Sequence, residues 1–249
     1  MKLLTLLLVL LMETVAIAQP PLIHAHNDYE KPQPLTHALA QKAFSIEADV
    51  FLINDSLRVA HDEAGAAVAP TLHSLYLQPI VALFTKYNGS ISTDTSYHPV
   101  LMIDIKKNGE AVLAVLQQQL ALYPAVFNRA VNHRAVQIVI SGDRGPIANW
   151  KNYPSFILFD GRPAENYDSL TMEKVGFISD AYYNYIKPAD SIDYRIQKQA
   201  ASMHSQGKLL RLWATPDHPA AWNKLLKLGV DIINTDKVGE CRDYFIKTK

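Results

Sequence analysis

Acidic and apolar side chains alternate in the stretch Ser-Ile-Glu-Ala-Asp-Val at residues 45–50. A period of two is typical of a β-strand, on which residues two apart share one face. Glu47 and Asp49 therefore point to one side of a sheet, while the other side is apolar. Carboxylates that meet inside a sheet are costly unless a cation or a proton lies among them. The stretch therefore indicates a metal-centred site on a buried strand.

Two other short runs repeat this spacing of polar residues. In Leu-Met-Ile-Asp-Ile-Lys, at residues 101–106, Asp104 and Lys106 are two apart. In His-Ala-His-Asn-Asp, at residues 24–28, the two histidines are His24 and His26. We expect all of these side chains to share the interior face of one sheet.

Runs that are typical of strands occur eight times, and stretches with helical spacing separate most of them. They cover residues 22–27, 44–52, 100–106, 136–141, 155–159, 175–180, 208–214 and 230–235. This alternation predicts an α/β fold with parallel strands, and eight units in one chain predict a single (β/α)8 TIM barrel. The absence of a G-x-G-x-x-G motif disfavours a dinucleotide-binding sheet. Segment 62–98 interrupts this alternation of strands and helices, and we expect it to form an excursion after strand two.

The composition limits the function classes. The 249 residues include 24 basic and 24 acidic side chains, a balance that gives no long-range attraction to nucleic acid. Cys241 is the only cysteine, so an internal disulfide and a thiolate-rich metal site are excluded. We therefore expect no nucleic-acid partner and no transmembrane segment. The oligomeric state is left open.

The N-terminal residues are typical of a signal peptide. Lys2 precedes an apolar run at residues 3–12, and Ala-Ile-Ala at residues 16–18 fits a cleavage site. The run is too short to span a bilayer. We therefore predict a signal peptide at 1–18, one domain at 19–249, and a secreted or periplasmic protein.

In a TIM barrel the carboxyl ends of the strands meet at one mouth. We predict Glu47, Asp49 and Asp104 there as ligands of one divalent cation. Oxygen ligands favour Mg²⁺ or Ca²⁺ over zinc. The alternative is that one or two of these carboxylates form interior ion pairs with Lys106 or Arg211.

Histidines near the same strand ends are candidates for acid–base chemistry, because imidazole titrates near neutral pH. We predict His26 and His61 as the acid–base pair, and His24 as a residue that braces the site. Asp28 or Asp62 is a candidate for orienting a histidine tautomer.

The order of these residues resembles a known family. His26, then Glu47-x-Asp49, His61-Asp62 and Asp104-x-Lys106, is similar to the glycerophosphodiester phosphodiesterase and phospholipase-C-like phosphodiesterase superfamily. Leu-Trp-Ala-Thr at residues 212–215 and Gly-Val-Asp-Ile-Ile-Asn-Thr-Asp at residues 229–236 resemble its last two strands. The His-Asn-Asp-Tyr motif resembles a subgroup of secreted bacterial proteins that has a fungal relative linked to mitochondrial inheritance.

This resemblance implies a metal-dependent phosphodiesterase, a phosphoric diester hydrolase of lipid metabolism, acting on a glycerophosphodiester or a phospholipid head group. It implies one Mg²⁺ or Ca²⁺ held by the three carboxylates. It also implies acid–base catalysis by His26 and His61, with Lys106 close to the phosphate and catalytic.

The chain departs from the typical family motifs. Asn27 stands where typical relatives have an arginine that grips phosphate, and Arg144 or Arg211 is a candidate replacement. Asp104 stands where many relatives have glutamate, which is similar to the spider sphingomyelinase branch. We predict Asn27, Arg211 and Trp213 as substrate-binding residues, although Trp213 is equally consistent with barrel core. Four tyrosines are candidates to line the pocket, and they are Tyr29, Tyr182, Tyr183 and Tyr185. For Tyr183 and Tyr185 we favour a surface or core role.

Two other functions stay open. His24-x-His26 resembles the first ligand pair of zinc hydrolases such as amidohydrolases and the polymerase-and-histidinol-phosphatase family, although those enzymes need further histidines at later strand ends. The barrel is also compatible with a non-catalytic module that binds a phosphorylated ligand or a sugar.

Overall fold

The computed structural model describes residues 21–186 and 191–247. Eight parallel strands form a closed barrel, because the first strand pairs with both the second and the last. In chain order the strands are β1 Leu22–Ala25, β2 Ser45–Ile53, β3 Ser56–Val59, β4 Val100–Ile105, β5 Gln137–Gly142, β6 Ile157–Gly161, β7 Val175–Ala181, β8 Leu210–Trp213 and β9 Ile232–Thr235. All eight predicted strands are present, and β3 is an additional one. The TIM-barrel prediction is confirmed.

Helices surround the barrel. They are α1 Thr36–Ala40, α2 Glu63–Ala66, α3 Gln78–Lys86, α4 Gly109–Ala121, α5 Pro124–Phe127, α6 Ser169–Glu173, α7 Ile192–Ser205, α8 Pro219–Lys227 and α9 Val238–Lys247. Short 3-10 segments lie at Asp28–Glu30, Ile147–Asn152 and Tyr182–Tyr185. Over the residues that the structure describes, no helix is both long enough and apolar enough to cross a membrane. The predicted signal peptide at 1–18 lies outside these residues.

The excursion after strand two begins with a tight hairpin. β3 runs antiparallel to β2, and the two-residue turn between them, Asn54 and Asp55, has φ values of 47° and 59°. These positive values are typical of a type I′ turn. A π-helical turn at His73–Leu77 continues into α3, whose Ile80 and Phe84 are buried in the main core. The excursion is thus confirmed, and its helical part packs on the barrel.

The barrel interior changes from apolar to polar along the strands. At the amino ends of the strands lies a separate apolar cluster, Val100, Met102, Val139, Phe177 and Ile232. Two residues further along each strand, the same face carries Asp104, Ser141, Ser179 and Asn234, all but the first of them buried. The carboxyl ends of the strands therefore meet in a polar mouth.

Candidate active site and metal centre

The three predicted ligand carboxylates meet at the mouth. β2 and β4 are neighbours whose register places Asp49 beside Asp104. Each of Glu47, Asp49 and Asp104 offers a carboxylate oxygen within 4.8 Å of the other two. Asp49 is fully buried and Glu47 is 5% exposed. Glu47 and Asp49 of β2 both face the barrel interior, as the alternation of acidic and apolar residues predicted.

Two oxygens of this group lack a partner. Oδ1 of Asp49 and Oδ1 of Asp104 are buried and accept no hydrogen bond from the part of the chain that the structure describes. Burial raises the pKa of Asp49 to about 6 and also raises that of Asp104. Carboxylate oxygens that accept no hydrogen bond are the ligands that a hard divalent cation requires. The residues present therefore fit such an ion.

Lys106 forms the ion pairs that the alternative interpretation expected. Its Nζ lies 2.7 Å from Oδ2 of Asp49 and 2.8 Å from Oδ2 of Asp104. Burial opposes the charged ammonium, but the two carboxylates raise the pKa of Lys106 above its ordinary value. Lys106 thus holds one oxygen of each carboxylate and leaves the other oxygen free.

His24 is fully buried and supports Glu47. Its Nε2 lies 2.7 Å from Oε2 of Glu47 and 2.8 Å from Nη1 of Arg211. Burial, and then Arg211, lower the pKa of His24 to about 4, so its imidazole is neutral at pH 7. A deprotonated carboxylate at 2.7 Å needs a donor, so the Nε2–H of His24 donates to Glu47. This arrangement agrees with the prediction that His24 braces the site.

The two candidate catalytic histidines have different surroundings. His26 lines the cavity at the mouth, and its Nδ1 lies 3.0 Å from Oδ1 of Asp236, just after β9. His61 is largely exposed and lies outside the cavity lining, with Nδ1 3.2 Å from the hydroxyl of Tyr29. That hydroxyl donates to Oδ2 of Asp49 at 2.8 Å. Tyr29 therefore connects His61 to the carboxylate group.

Arg211 lines the cavity at the mouth but is almost fully buried. It is 3% exposed, its Nε donates to Ser179 at 2.9 Å, and its Nη1 donates to Asn234 at 3.0 Å. Its Nη2 lies 3.4 Å from Oδ2 of the buried Asp160. Arg211 thus makes its hydrogen bonds inside the barrel.

The cavity at the mouth has a volume of about 350 Å³. The residues that line it are His26, Glu47, Asp104, Ser141, Gly142, Arg162, Arg211, Trp213 and Ala214. Arg162, which the sequence did not single out, follows β6 on the same face as Asp160, and its guanidinium stacks on Trp213 at 4.8 Å. Asp-Gly-Arg at residues 160–162 carried the signal, two polar residues two apart, but the predicted strand ended at residue 159.

Several other candidates have structural contacts. Arg144 forms a two-pronged ion pair with Glu165 at 2.6 and 3.0 Å. Asp28 accepts hydrogen bonds from the backbone of Leu35 and the hydroxyl of Tyr76, and Asp62 caps α2, so the hydrogen bonds of these two acids go elsewhere than to a histidine. Asn27 lies outside the cavity lining and starts a 3-10 segment with φ of 46°.

The tyrosines after β7 lie at core or surface positions, which is the interpretation favoured for Tyr183 and Tyr185. Tyr185 is buried and donates to Asp180, and Tyr183 is 60% exposed. Tyr182 packs against the main core.

The zinc alternative finds little support in the geometry. Within 21–186 and 191–247, the group of acidic, histidine or cysteine side chains that can share an ion contains three carboxylates and no histidine. The later histidines lie elsewhere: His204 pairs with Asp231, and His218 caps α8.

Comparisons with known proteins show which families the chain resembles. A family model described as "AIM6-like phosphodiesterase domain" matches residues 13–148, and one described as "Glycerophosphoryl diester phosphodiesterase family" matches residues 210–239. The Altered inheritance of mitochondria protein 6 homolog of Arthroderma benhamiae is 30% identical, over 90% of this chain and 83% of its own length. The Lachancea thermotolerans protein of that name is 25% identical, over 88% of this chain and 64% of its own length.

A solved structure shares the fold. The glycerophosphodiester phosphodiesterase from Parabacteroides distasonis superposes with a TM-score of 0.61, at 14% identity, over 92% of this chain and 97% of that one. Identity this low shows the barrel architecture alone.

The relatives correct the predicted location. We expected a secreted or periplasmic protein, but the relatives are fungal proteins named for altered inheritance of mitochondria. The prediction rested on the apolar residues before 19, and the family match begins at residue 13, inside that segment. An apolar N-terminal run is compatible with more than one destination, so it was a poor guide to location.

Proposed function

This chain belongs to the AIM6-like phosphodiesterase domain family, and from that premise we propose that it is a metal-dependent phosphodiesterase. Its substrate is a glycerophosphodiester or the head group of a phospholipid. The observation that carries the proposal is the group of Glu47, Asp49 and Asp104, with two orphan oxygens, beside a cavity that His26 also lines.

One hard divalent cation, Mg²⁺ or Ca²⁺, would be held by these three carboxylates. When bound, it would polarise a phosphoryl oxygen and offset the charge that develops there. Lys106 opposes the rise in pKa that burial causes at Asp49 and Asp104, and it fixes one oxygen of each. His24 does the same for Glu47. The chain therefore supplies a rigid, anionic ligand set.

The histidines move the protons. Oδ1 of Asp236 accepts from the Nδ1–H of His26, which leaves Nε2 of His26 unprotonated and able to take the proton of an attacking water or substrate hydroxyl. His61, whose Nδ1–H donates to Tyr29, carries the second proton on Nε2 when it is charged and gives it to the departing alkoxide. Attack by the substrate's own hydroxyl yields a cyclic phosphate, and attack by water yields a monoester.

Charge balance favours a diester over a monoester. Five carboxylates and four cations lie at the mouth, and they are Glu47, Asp49, Asp104, Asp160 and Asp236, with Lys31, Lys106, Arg162 and Arg211. A divalent cation therefore leaves one net positive charge. A phosphodiester carries one negative charge, whereas a phosphomonoester carries about two near neutral pH.

The first test is turnover of bis(p-nitrophenyl) phosphate by the purified full chain. We expect activity with Mg²⁺ or Ca²⁺, loss with a chelator, and recovery when the cation is restored. His26→Ala and His61→Ala should each lower kcat at least ~10²-fold, because each removes a proton-transfer group. The exposed His133 gives a matched control, and His133→Ala should retain the wild-type rate.

Wild-type rates in both histidine variants, or turnover that ignores the chelator, would refute the proposal. If no phosphodiester is turned over with either cation, the non-catalytic binding module becomes the better interpretation. Asp104→Asn adds an activity-independent check, since it should abolish Mg²⁺ binding measured by calorimetry.

A further inference from the structure

Two arginines line the mouth cavity, and they differ in their freedom to bind a ligand. Arg211 is 3% exposed and uses Nε, Nη1 and Nη2 in contacts inside the barrel. Arg162 has a side chain that is 21% exposed. Its contacts within the described residues involve mainly Nη1, while Nη2 makes only a long contact of 3.3 Å to the hydroxyl of Ser141. Nε and one hydrogen of Nη2 are therefore left for a ligand.

We propose that Arg162 is the anion-binding residue of this cavity and that it binds the non-bridging oxygens of a phosphodiester. This inference rests on the proposed function and deepens it. A guanidinium presents parallel N–H groups that match the oxygens of a phosphate, which a lysine ammonium cannot do. Arg162 lines the same cavity as Glu47 and Asp104, so an anion bound by it lies near the proposed metal centre.

The guanidinium is held in place before any ligand binds. Its Nη1 lies 2.8 Å from Oδ2 of Asp160 and donates to the carbonyl oxygen of Gly161 at 2.9 Å. Its planar face stacks on Trp213 at 4.8 Å. A side chain that is already ordered loses little conformational entropy on binding, so more of each hydrogen bond contributes to affinity.

The backbone before the side chain is fixed as well. The N–H of Arg162 donates to the hydroxyl of Tyr167 at 2.7 Å and to Oε2 of Glu165 at 3.1 Å. At Gly161 an added Cβ would lie 2.7 Å from the same hydroxyl and 2.6 Å from Cδ1 of Ile178. Glycine at that position therefore permits the close approach that sets the direction of Arg162.

Asp160 does not cancel the charge of Arg162. This buried carboxylate contacts Arg162 and Arg211 together, and it also accepts from Ser141 at 2.9 Å and from Ser179 at 2.5 Å. Two guanidinium groups share one carboxylate, so this side of the cavity keeps a net positive charge. That positive charge attracts an anion, and it contrasts with the negative charge of the carboxylates on β2 and β4.

The binding test uses inorganic phosphate as the probe, titrated into the full chain by calorimetry in buffer with Mg²⁺. Arg162→Gln should weaken phosphate binding about 10- to 100-fold, since it removes hydrogen bonds to a charged group. Arg134→Gln is the matched control. It removes the same charge, but Arg134 precedes β5 and lies at the opposite end of the barrel. The control should bind phosphate as the wild type does.

Arg162→Lys covers the case in which Arg162→Gln fails to fold, which a thermal melt would reveal. It keeps the charge and loses the parallel N–H groups and the stacking, so we expect affinity about 5-fold or more below the wild type. Phosphate affinity within twofold of the wild type in Arg162→Lys and in any folded Arg162→Gln overturns the inference.

A kinetic arm separates this inference from the proposed function. With bis(p-nitrophenyl) phosphate, Arg162→Gln should raise KM about 10-fold or more, while Arg134→Gln leaves KM unchanged. An unchanged KM in a folded, active Arg162→Gln overturns the role of Arg162 and leaves the phosphodiesterase intact. If the wild type turns over nothing but Arg162→Gln still loses phosphate affinity, the proposed reaction fails and the anion site stands.

Discussion

The residue at position 142 has to be glycine because neighbouring oxygens fill the space of a side chain. Gly142 has a φ of +69°, a value that L-residues with a Cβ rarely adopt. A Cβ there would lie 2.1 Å from Oδ1 of Asp104 and 2.2 Å from the carbonyl oxygen of Ile105. The carboxylate of Asp104, a proposed metal ligand, is thus accommodated by the absence of a side chain on the adjacent strand.

We predict that Gly142→Ala destabilises the protein by about 2–4 kcal/mol, the sum of the left-handed backbone cost and the steric overlap. It should also weaken Mg²⁺ binding, because Asp104 has to move. Urea unfolding and calorimetry measure the two effects.

Gly207 provides the control for backbone conformation alone. Its φ is +68°, and no heavy atom lies within 4 Å of an added Cβ. Gly207→Ala should therefore cost only about 1–2 kcal/mol. Equal losses in the two variants would show that Asp104 does not need this space.

At the scale of elements, the hairpin of β2 and β3 positions several candidate site residues. Glu47 and Asp49 lie on β2, and His61 follows β3. The backbone of Asp49 accepts a hydrogen bond from Ala60, just after β3 and just before His61. The tight turn at Asn54 and Asp55 sets the register of the two strands. The hairpin therefore fixes where His61 lies relative to Asp49.

Asn54→Ala should lower the free energy of unfolding by about 1 kcal/mol, since alanine tolerates the positive φ of this turn less well than asparagine does. Asp55→Gly should leave stability unchanged or raise it slightly, because Asn-Gly is the preferred type I′ pair. Chemical denaturation of both variants tests the opposite signs. A stability loss in Asp55→Gly as large as in Asn54→Ala would contradict this account of the turn.

The eight barrel strands could be predicted because each is a short apolar run between turn residues, and alternation within β2 and β4 indicated which carboxylates share a face. β3 was missed, since four residues after a two-residue turn give too short a pattern. Arg162 was missed because the apolar run ends at residue 159, although the strand continues to Gly161. The partner of His26 is 210 residues away in Asp236, a distance over which no local pattern extends.

At the scale of the whole molecule, stability in acid depends on ion pairs that hold the loops of the mouth. Burial alone would raise the pKa of Glu165, but hydrogen bonds from Arg144 and Tyr167 lower it below its ordinary value. A lowered pKa in the folded state adds stability above the unfolded-state pKa, and this stability is lost as the pH falls through the folded-state value.

We therefore expect Glu165→Gln to destabilise the protein at pH 7 by about 1–3 kcal/mol, because it breaks charge-assisted hydrogen bonds. The difference from the wild type should shrink as the pH falls well below 4. Urea unfolding at a series of pH values measures it. The exposed Glu173 on α6 is the control, and Glu173→Gln should change stability by less than about 0.5 kcal/mol. A difference that stays constant with pH would contradict the ion-pair account.

Barrel closure joins the two ends of the described chain, since β1 pairs with β9. His26 follows β1, the first strand of the barrel, and its partner Asp236 follows β9, the last strand of the barrel. During translation His26 is made 210 residues before the carboxylate that it contacts. The proposed active site therefore assembles only after β9 has been made, so a chain that ends before Asp236 should lack the proposed phosphodiesterase activity.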